Sequence, residues 1–288
     1  MRILILGGDG MLGHRFFLHV RGRHQVRLTL RQDLATYKAF DLFARENAYG
    51  GIDVRRTESV LEVMADFRPE VVVNAVGIVK QRSEANDAIP SLEINSLLPH
   101  RLAVLCRAAG ARLIHFSTDC VFSGKTGNYS ESSTPDAEDL YGRSKLLGEL
   151  DGSPSITLRT SMIGPELSRH SGLLDWFLAQ RGTINGYRKA VFSGFTTIEM
   201  SRIIERIATR FPDAHGIYHV SSAPISKYEL LCKLRDRLGC RIEISPDDAF
   251  HCDRSLDSSR FRTEFGYTPP AWDEMIEELA QHIGKTRT

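Results

Sequence analysis

The sequence predicts an α/β protein built on a doubly wound parallel sheet, and three observations carry that expectation. Short apolar runs recur through the first 160 residues: RILIL at 2 to 6, VRLTL at 26 to 30, VVVN at 71 to 74, RLIHFS at 112 to 117 and SITLR at 155 to 159. Longer stretches of helical spacing separate them, near 11 to 21, 57 to 67, 91 to 109 and 139 to 150. The turn that follows the first run, GGDGMLG at 7 to 13, is rich in glycine. Short runs without polar alternation suit strands buried on both faces, and strand–helix alternation makes those strands parallel.

Each element has its own signal. The helix near 91 to 109 stops at Gly110, a usual helix terminator. The segment 33 to 52 is long for a connection and is expected to carry a helix of its own. The segment 118 to 138, rich in Ser, Thr and Gly, reads as the mobile loop. Beyond residue 160 the rhythm changes to a helix near 171 to 180, a strand near 190 to 193, a helix at 197 to 210, GIYHV, a helix at 226 to 238 and RIEIS. Helices near 257 to 265 and 272 to 283 close the chain. The expected organisation is a nucleotide-binding domain over 1–160, with parts of 185–225 crossing back to it, and a smaller C-terminal lobe over 161–288.

Composition removes several classes of function. The 288 residues include 37 Lys and Arg against 36 Asp and Glu, a formal net charge of +1, so no global field draws in nucleic acid or an anionic membrane. No stretch reaches the roughly 18 consecutive apolar residues of a membrane span, and MRILILGG enters a strand-like run rather than a secretory leader. The expected location is the cytoplasm. The five cysteines, Cys106, Cys120, Cys232, Cys240 and Cys252, include no CxxC pair and read as reduced thiols. Cys232, Cys240, His251 and Cys252 lack zinc-ligand spacing, so no metal is expected.

Gly7, Gly10 and Gly13 stand in a GxxGxxG arrangement between a strand and a helix. The first glycine permits the tight turn, the second lets a pyrophosphate approach the backbone, and the third lets helix and strand pack closely. The amides of Met11 and Leu12 would then face the phosphates at the positive end of the helix. This is the Rossmann-type arrangement for a dinucleotide. An acidic residue after the second strand would favour NAD(H), and a basic one would accept the 2′-phosphate of NADP(H). Arg31 stands there, with Asp33 close by, so NADP(H) is preferred and NAD(H) remains open.

YGRSK at 141 to 145 places Tyr141 and Lys145 four apart, on one face of a helix. A protonated lysine beside a phenol lowers the phenol pKa, which suits proton donation to a ketone being reduced. HFSTDCVFSG at 115 to 124 puts the Thr118 hydroxyl at the carboxyl edge of the sheet, within reach of a substrate carbonyl.

GGDGMLG, DV at 53 to 54, NAVG at 74 to 77, STDCVFSG, YGRSKLLGE and LRTSMIGP together resemble the extended short-chain dehydrogenase/reductases. Within them the chain is most similar to the dTDP-4-dehydrorhamnose reductase branch, and LDSSRFRTEFGYTPPAWDEMIEEL at 256 to 279 extends the likeness to the C-terminus. The resemblance implies a Rossmann-type sheet with a smaller C-terminal substrate-binding lobe. It implies NADPH-dependent reduction of the 4-keto group of a nucleoside-diphosphate deoxysugar, for polysaccharide or glycoconjugate synthesis. Thr118, Tyr141 and Lys145 become the catalytic set, and Tyr141 and Lys145 also meet the cofactor. Asp53 and Val54 become adenine contacts, while Ala75, Val76 and Gly77 line the cofactor. Asn95 is either a helix residue supporting that site or a buried amide tying its helix to the sheet.

Departures bear on the substrate. The branch usually has Tyr where Cys120 stands and Trp where Met162 stands, so Asp119, Cys120 and Met162 face a sugar of open identity. Among the basic residues Lys80, Arg82, Arg188, Lys189 and Arg254, the first and last are the preferred pyrophosphate contacts, with Phe195 as an apolar contact. Dehydratases of this superfamily need Asp-Glu after the threonine, whereas the chain reads Asp119-Cys120. Two rivals stand beside ketone reduction: a catalytically silent nucleotide-binding regulatory subunit, and an epimerase or dehydratase using bound NAD(P)+. The oligomeric state is open, a homodimer included.

Overall fold

The computed structural model describes residues 1–80, 86–168 and 170–287, with side chains to residue 284. The chain divides into two compact units that interleave along the sequence. The first comprises Met1–Ser117, Asp139–Leu158 and Ser201–Ile217, and the second Thr118–Glu138, Arg159–Met200 and Tyr218–Thr288.

In the first unit, β1 (Arg2–Leu6), β2 (Gln25–Thr29), β3 (Ala48–Tyr49), β4 (Val71–Asn74), β5 (Arg112–Thr118), β6 (Ser155–Thr160) and β10 (Gly216–His219) form one sheet, in the order β10-β6-β5-β4-β1-β2-β3. β1 pairs in parallel with β2 and β4, β2 with β3, and β4 with β5. The last residues of β5, β6 and β10 belong to the second unit. Burial on both faces explains why these strands are legible as unbroken apolar runs: Leu4 and Leu6 on one face, and Ile3 and Ile5 on the other, are all fully buried. Leu4, Leu6, Val72 and Leu113 join one cluster with Val60, Val63 and Met64 of α2 (Thr57–Phe67) and with Leu98, Leu102 and Cys106 of α4 (Leu98–Ala108). Truncating such a buried leucine to alanine costs about 2–5 kcal/mol.

The strand order reverses between β1 and β4, because the chain runs outward from β1 to β2 and β3 and then returns. Ligands of open α/β sheets bind outside the carboxyl ends of the strands at such a switch point. The glycine turn leading into α1 (Met11–Val20) follows β1, and Ala75 to Gly77 follow β4.

The helix expected over 91 to 109 is three pieces: α3 (Ala88–Ser91), a π-helical segment Leu92–Leu97, and α4. The expected element within 33 to 52 is a 3₁₀ helix, Leu34–Phe40. α5 (Leu140–Leu147) is capped by Asp139, whose Oδ1 accepts the Gly142 N–H at 2.8 Å.

The second unit carries a three-stranded sheet in the order β11-β8-β12, and a two-stranded pairing of β7 (Met162–Ile163) with β9 (Phe195–Thr196). β8 (Gly182–Phe192) and β12 (Ile242–Asp253) are both longer than the apolar runs that mark them. Cross-strand polar pairs hold their exposed length: Thr183 Oγ1 to Glu243 Oε2 at 3.0 Å, Asn185 Nδ2 to Asp247 Oδ2 at 3.1 Å, and Arg188 with Asp248. Hydropathy does not register such pairs. β11 (Ile225–Ser226) leads into α8 (Lys227–Leu238), where Ser226 and Glu229 form a capping box. Around them stand α6 (Leu173–Ala179), α7 (Thr197–Arg210), which runs on into the first unit, α9 (Ser259–Phe265) and α10 (Trp272–Arg287).

The segment 118 to 138 is braced rather than loose. Tyr129 stacks on Phe122 with ring centroids 4.2 Å apart, and its hydroxyl accepts the Gly124 and Thr126 N–H groups at 3.2 Å. Asp136 accepts from Ser123 N at 2.6 Å and Ser123 Oγ at 2.7 Å. Serines and glycines here feed local hydrogen bonds that composition alone does not separate from mobility.

Candidate active site

The glycine turn is built to a tight tolerance. Gly7 has φ of +80°, where a side chain would be strained, and a Cβ there would stand 2.9 Å from Val76 Cγ2. A Cβ on Gly13 would collide with the Gly7 carbonyl oxygen and stand 3.1 Å from Gly8 Cα. Gly8 N–H donates to Thr29 O at 2.9 Å, which binds the turn to β2. Gly10 is the N-cap of α1 and supplies no side chain to the first-turn amides, so those of Met11 and Leu12 stand at an anion-attracting helix end. With no room for a Cβ at Gly7 or Gly13, the turn stays tight and bare at the start of α1, which fits the pyrophosphate of a dinucleotide.

Around it, Ala75 N–H donates to Leu6 O at 3.0 Å and Val76 N–H to Asn74 Oδ1 at 3.2 Å, fixing the residues after β4 beside the turn. A Cβ on Gly77 would lie 3.6 Å from Asn95 Oδ1. Arg31 is exposed two residues beyond the end of β2. Asp53 is gripped through both carboxylate oxygens by Arg55, at 2.6 Å to Nη2, and that hydrogen bonding holds its carboxyl below the ordinary value. Val54 packs against the α2–α4 cluster.

Tyr141 and Lys145 stand one turn apart on α5. Lys145 is buried and its Nζ donates to Phe116 O at 2.6 Å. Burial pushes the ammonium down to about 8, with the Glu149 carboxylate opposing. His115, between Asn74 Nδ2 at 3.2 Å and the charge of Lys145, is pushed well below the ordinary imidazole value by burial first and Lys145 second. Asn95 is buried, and its amide donates to Ile78 O at 3.1 Å and Ser144 Oγ at 3.2 Å while accepting Ile78 N–H at 2.9 Å. It ties the π-helical segment to the chain after β4 and to the residue preceding Lys145. Gly148 belongs to the same joint, because a Cβ there would collide with Asn95 O.

In the second unit, Thr118 ends β5 and its Oγ1 accepts the Cys120 N–H at 3.1 Å while donating to Asp119 Oδ1 at 3.2 Å. Asp119 is buried and its Oδ2 accepts Ser161 Oγ at 2.6 Å. Cys120 is half-buried. Met162 is half-buried on β7 opposite Phe195, which is fully buried and meets Tyr267 edge-on at 6.1 Å.

The basic residues expected at a pyrophosphate have protein partners. Lys80 pairs with Asp139 at 2.6 Å and so steadies the cap of α5. Arg254 donates to Phe122 O at 2.8 Å and Ser123 O at 3.3 Å. Arg188 is paired with Asp248, Lys189 is exposed, and Arg82 lies outside the described residues. Sequence reasoning missed Ser161, which holds Asp119; nothing in LRTSM distinguishes it from a surface polar residue. Among the described residues no group of three or more His, Cys, Asp or Glu is arranged to hold a metal ion, and no helix is long and apolar enough to cross a membrane.

A switch-point glycine turn together with a Tyr-x-x-x-Lys helix defines a dinucleotide-binding fold of the extended short-chain dehydrogenase/reductase class. Residues 1–164 match the family described as RmlD substrate binding domain, and the chain belongs to that family. It is 30% identical over 168 residues to a dTDP-4-dehydrorhamnose reductase of Burkholderia thailandensis, a match covering 57% of this chain and 50% of that relative. The chain thus spans about half the length of that curated relative. A dTDP-4-dehydrorhamnose reductase of Aggregatibacter actinomycetemcomitans is 26% identical, over 96% of this chain and 98% of its own. Among solved structures, dTDP-4-dehydrorhamnose reductase from Bacillus anthracis in complex with NADP superposes with a TM-score of 0.80, covering 98% of this chain and 99% of that one at 19% identity. That likeness is one of fold.

Proposed function

We propose that the protein is an NADPH-dependent reductase of the 4-keto group of a nucleoside-diphosphate deoxysugar. The observation that carries the reading is α5, with Tyr141 one turn before a buried Lys145, in a chain whose glycine turn is shaped for a dinucleotide. The reductase names of two relatives, one matched along nearly its whole length, support it.

When bound, NADPH supplies the hydride to the keto carbon. Tyr141 gives its phenolic proton to the keto oxygen. Lys145 favours the phenolate that remains, and Phe116 O and Glu149 orient and charge that lysine. The Thr118 hydroxyl meets the carbonyl. The amides of Met11 and Leu12 hold the pyrophosphate, and Arg31 takes the 2′-phosphate. Residues 1–160, with parts of 185–225 crossing back to them, are read as the cofactor domain, and the rest of 161–288 as the substrate lobe.

The test is NADPH oxidation with dTDP-, UDP- and GDP-linked 4-keto-6-deoxyhexoses. Tyr141→Phe is expected to lower kcat by about 10²–10⁴-fold with NADPH affinity nearly intact. Unchanged turnover in that variant sinks the assignment. Binding of the nucleotide sugar without NADPH oxidation by the wild type would instead support the silent subunit.

A further inference from the structure

Within the tight turn from Gly7 to Gly10 the only side chain is that of Asp9. Gly10 N–H donates to Gly7 O at 3.1 Å and Gly8 N–H to Thr29 O at 2.9 Å, so the turn is closed and lies on the last residue of β2. Asp9 is half-buried, and its Oδ2 accepts the Tyr37 hydroxyl at 3.0 Å. The same hydroxyl accepts the Gln32 N–H at 3.4 Å. Tyr37 is buried on the 3₁₀ helix Leu34–Phe40, its ring edge-on to Phe43 at 5.6 Å. One phenol oxygen therefore joins the carboxylate of the turn to the chain beside Arg31. All of these residues belong to the first unit.

An acidic residue at the end of the second strand of such a fold accepts the adenosine 2′-hydroxyl of NAD(H). The residues that follow β2 here are Leu30, Arg31 and Gln32, none of them acidic. Asp33 comes next, but a Cβ on Gly51 would stand 3.2 Å from its Oδ1, so it leans toward the chain after β3. β3 pairs with β2 on the side away from β1 and its glycine turn. Asp9 springs from the turn that meets the dinucleotide and reaches the end of β2 through Tyr37. Its bond from Tyr37 is one of about four that a carboxylate can accept.

We propose that Asp9 accepts the adenosine 2′-hydroxyl of NADH, with Tyr37 as the positioning residue that holds it. Two neighbouring groups then read the 2′-position, Asp9 for the hydroxyl and Arg31 for the phosphate. The inference rests on the dinucleotide reading of the glycine turn and adds a determinant of cofactor choice. The two groups act in opposite directions, because a carboxylate repels the 2′-phosphate that a guanidinium attracts. Asp9 takes no part in hydride or proton transfer.

Calorimetric titration of the full chain with NADPH, NADH and the 2′-deoxyadenosine analogue of NADH tests the assignment. The wild type should bind the analogue about 10-fold more weakly than NADH. Asp9→Asn should bind NADH about 10-fold more weakly than the wild type does, the analogue equally well and NADPH no less tightly. Retained NADPH affinity reports that the variant is folded with its turn intact. Tyr37→Phe keeps the ring and removes the hydroxyl. It should weaken NADH by about 3-fold in the wild-type background and not at all in Asp9→Asn, whereas a purely structural hydroxyl would cost the same in both. Equal weakening of NADH and NADPH in Asp9→Asn, a wild type that does not distinguish the analogue from NADH, or an NADH loss in Asp33→Asn that Asp9→Asn does not show overturns the assignment. Binding of neither dinucleotide removes the reading of the turn itself, while binding of both with none of these shifts removes the role of Asp9 alone. Turnover of keto sugars enters none of these readouts, so the reductase reading stands or falls separately.

Discussion

The ammonium of Lys145 donates to the main-chain carbonyl of Phe116 at 2.6 Å, so the lysine of α5 is anchored on β5 and buried there. Burial brings its pKa down to about 8. Below pH 8 the group is protonated in both the folded and the unfolded chain and adds no pH dependence. Between about 8 and the ordinary lysine value near 10.4 the unfolded chain holds a proton that the folded chain has released, so this group's contribution to stability rises with pH, by up to about 1.4 kcal/mol per unit. The urea midpoint of the wild type relative to Lys145→Met should therefore climb from pH 8 to 10. The ¹³Cε resonance of Lys145 should titrate near pH 8, and a midpoint above 10 would contradict the burial argument.

The contact of Gly13 with the Gly7 carbonyl makes a sharp prediction about the turn. The groups around a Cβ at Gly13 are backbone atoms of Gly7 and Gly8, which cannot rotate away. Gly13→Ala should cost about 1–3 kcal/mol and abolish NADPH binding, because relief requires opening the cradle. Gly22→Ala, where nothing lies within 4 Å, should change stability by no more than about 0.5 kcal/mol and leave binding intact. Thermal melts and cofactor titrations of both variants decide it.

Asn95 offers a test of the joint between the π-helical segment and α5. Its amide makes three hydrogen bonds, two with Ile78 and one with Ser144. Asn95→Leu leaves Ile78 N–H and O without those partners, and an unmet buried polar group costs about 1–3 kcal/mol. The expected loss is about 2–4 kcal/mol by urea denaturation. Because Ser144 precedes Lys145, kcat should fall more than stability alone accounts for at temperatures where the variant stays folded.

The legible parts of the molecule are those whose physics leaves a mark on apolar periodicity or on glycine. β1, β4 and β5 are buried on both faces and read as unbroken runs, and Gly7 and Gly13 stand where any Cβ would collide. The full length of β8 and β12 escaped because exposed pairs such as Thr183 with Glu243 hold it, and a charged, half-exposed strand resembles a loop in sequence. Arg254 looked like a free cation, yet its guanidinium is committed to the Phe122 and Ser123 carbonyls, a long-range contact that no local pattern signals. Lys227 was hidden for the opposite reason. A lysine at the start of an amphipathic helix is ordinarily a solvated charge, and only tertiary packing places this one over the Phe192 ring.

Arg31 carries the choice between the two nicotinamide dinucleotides. It is exposed just past β2, with the exposed Asp33 two residues further on as the acidic alternative. A guanidinium meeting a phosphate dianion makes charge-assisted bonds worth about 1.5–3 kcal/mol, whereas the ribose hydroxyl of NADH gives it nothing comparable. Arg31→Ser should therefore weaken NADPH binding by about 10–100-fold and leave NADH nearly unchanged, narrowing the preference without abolishing either complex. The loss should shrink at high salt, because an exposed charge pair is screened. Titrations of wild type and Arg31→Ser with both cofactors at 50 and 500 mM salt, concentrations chosen to bracket a Debye length of roughly 10 Å, read all three effects. Equal weakening of NADH and NADPH would show that Arg31 acts on the turn rather than on the 2′-phosphate.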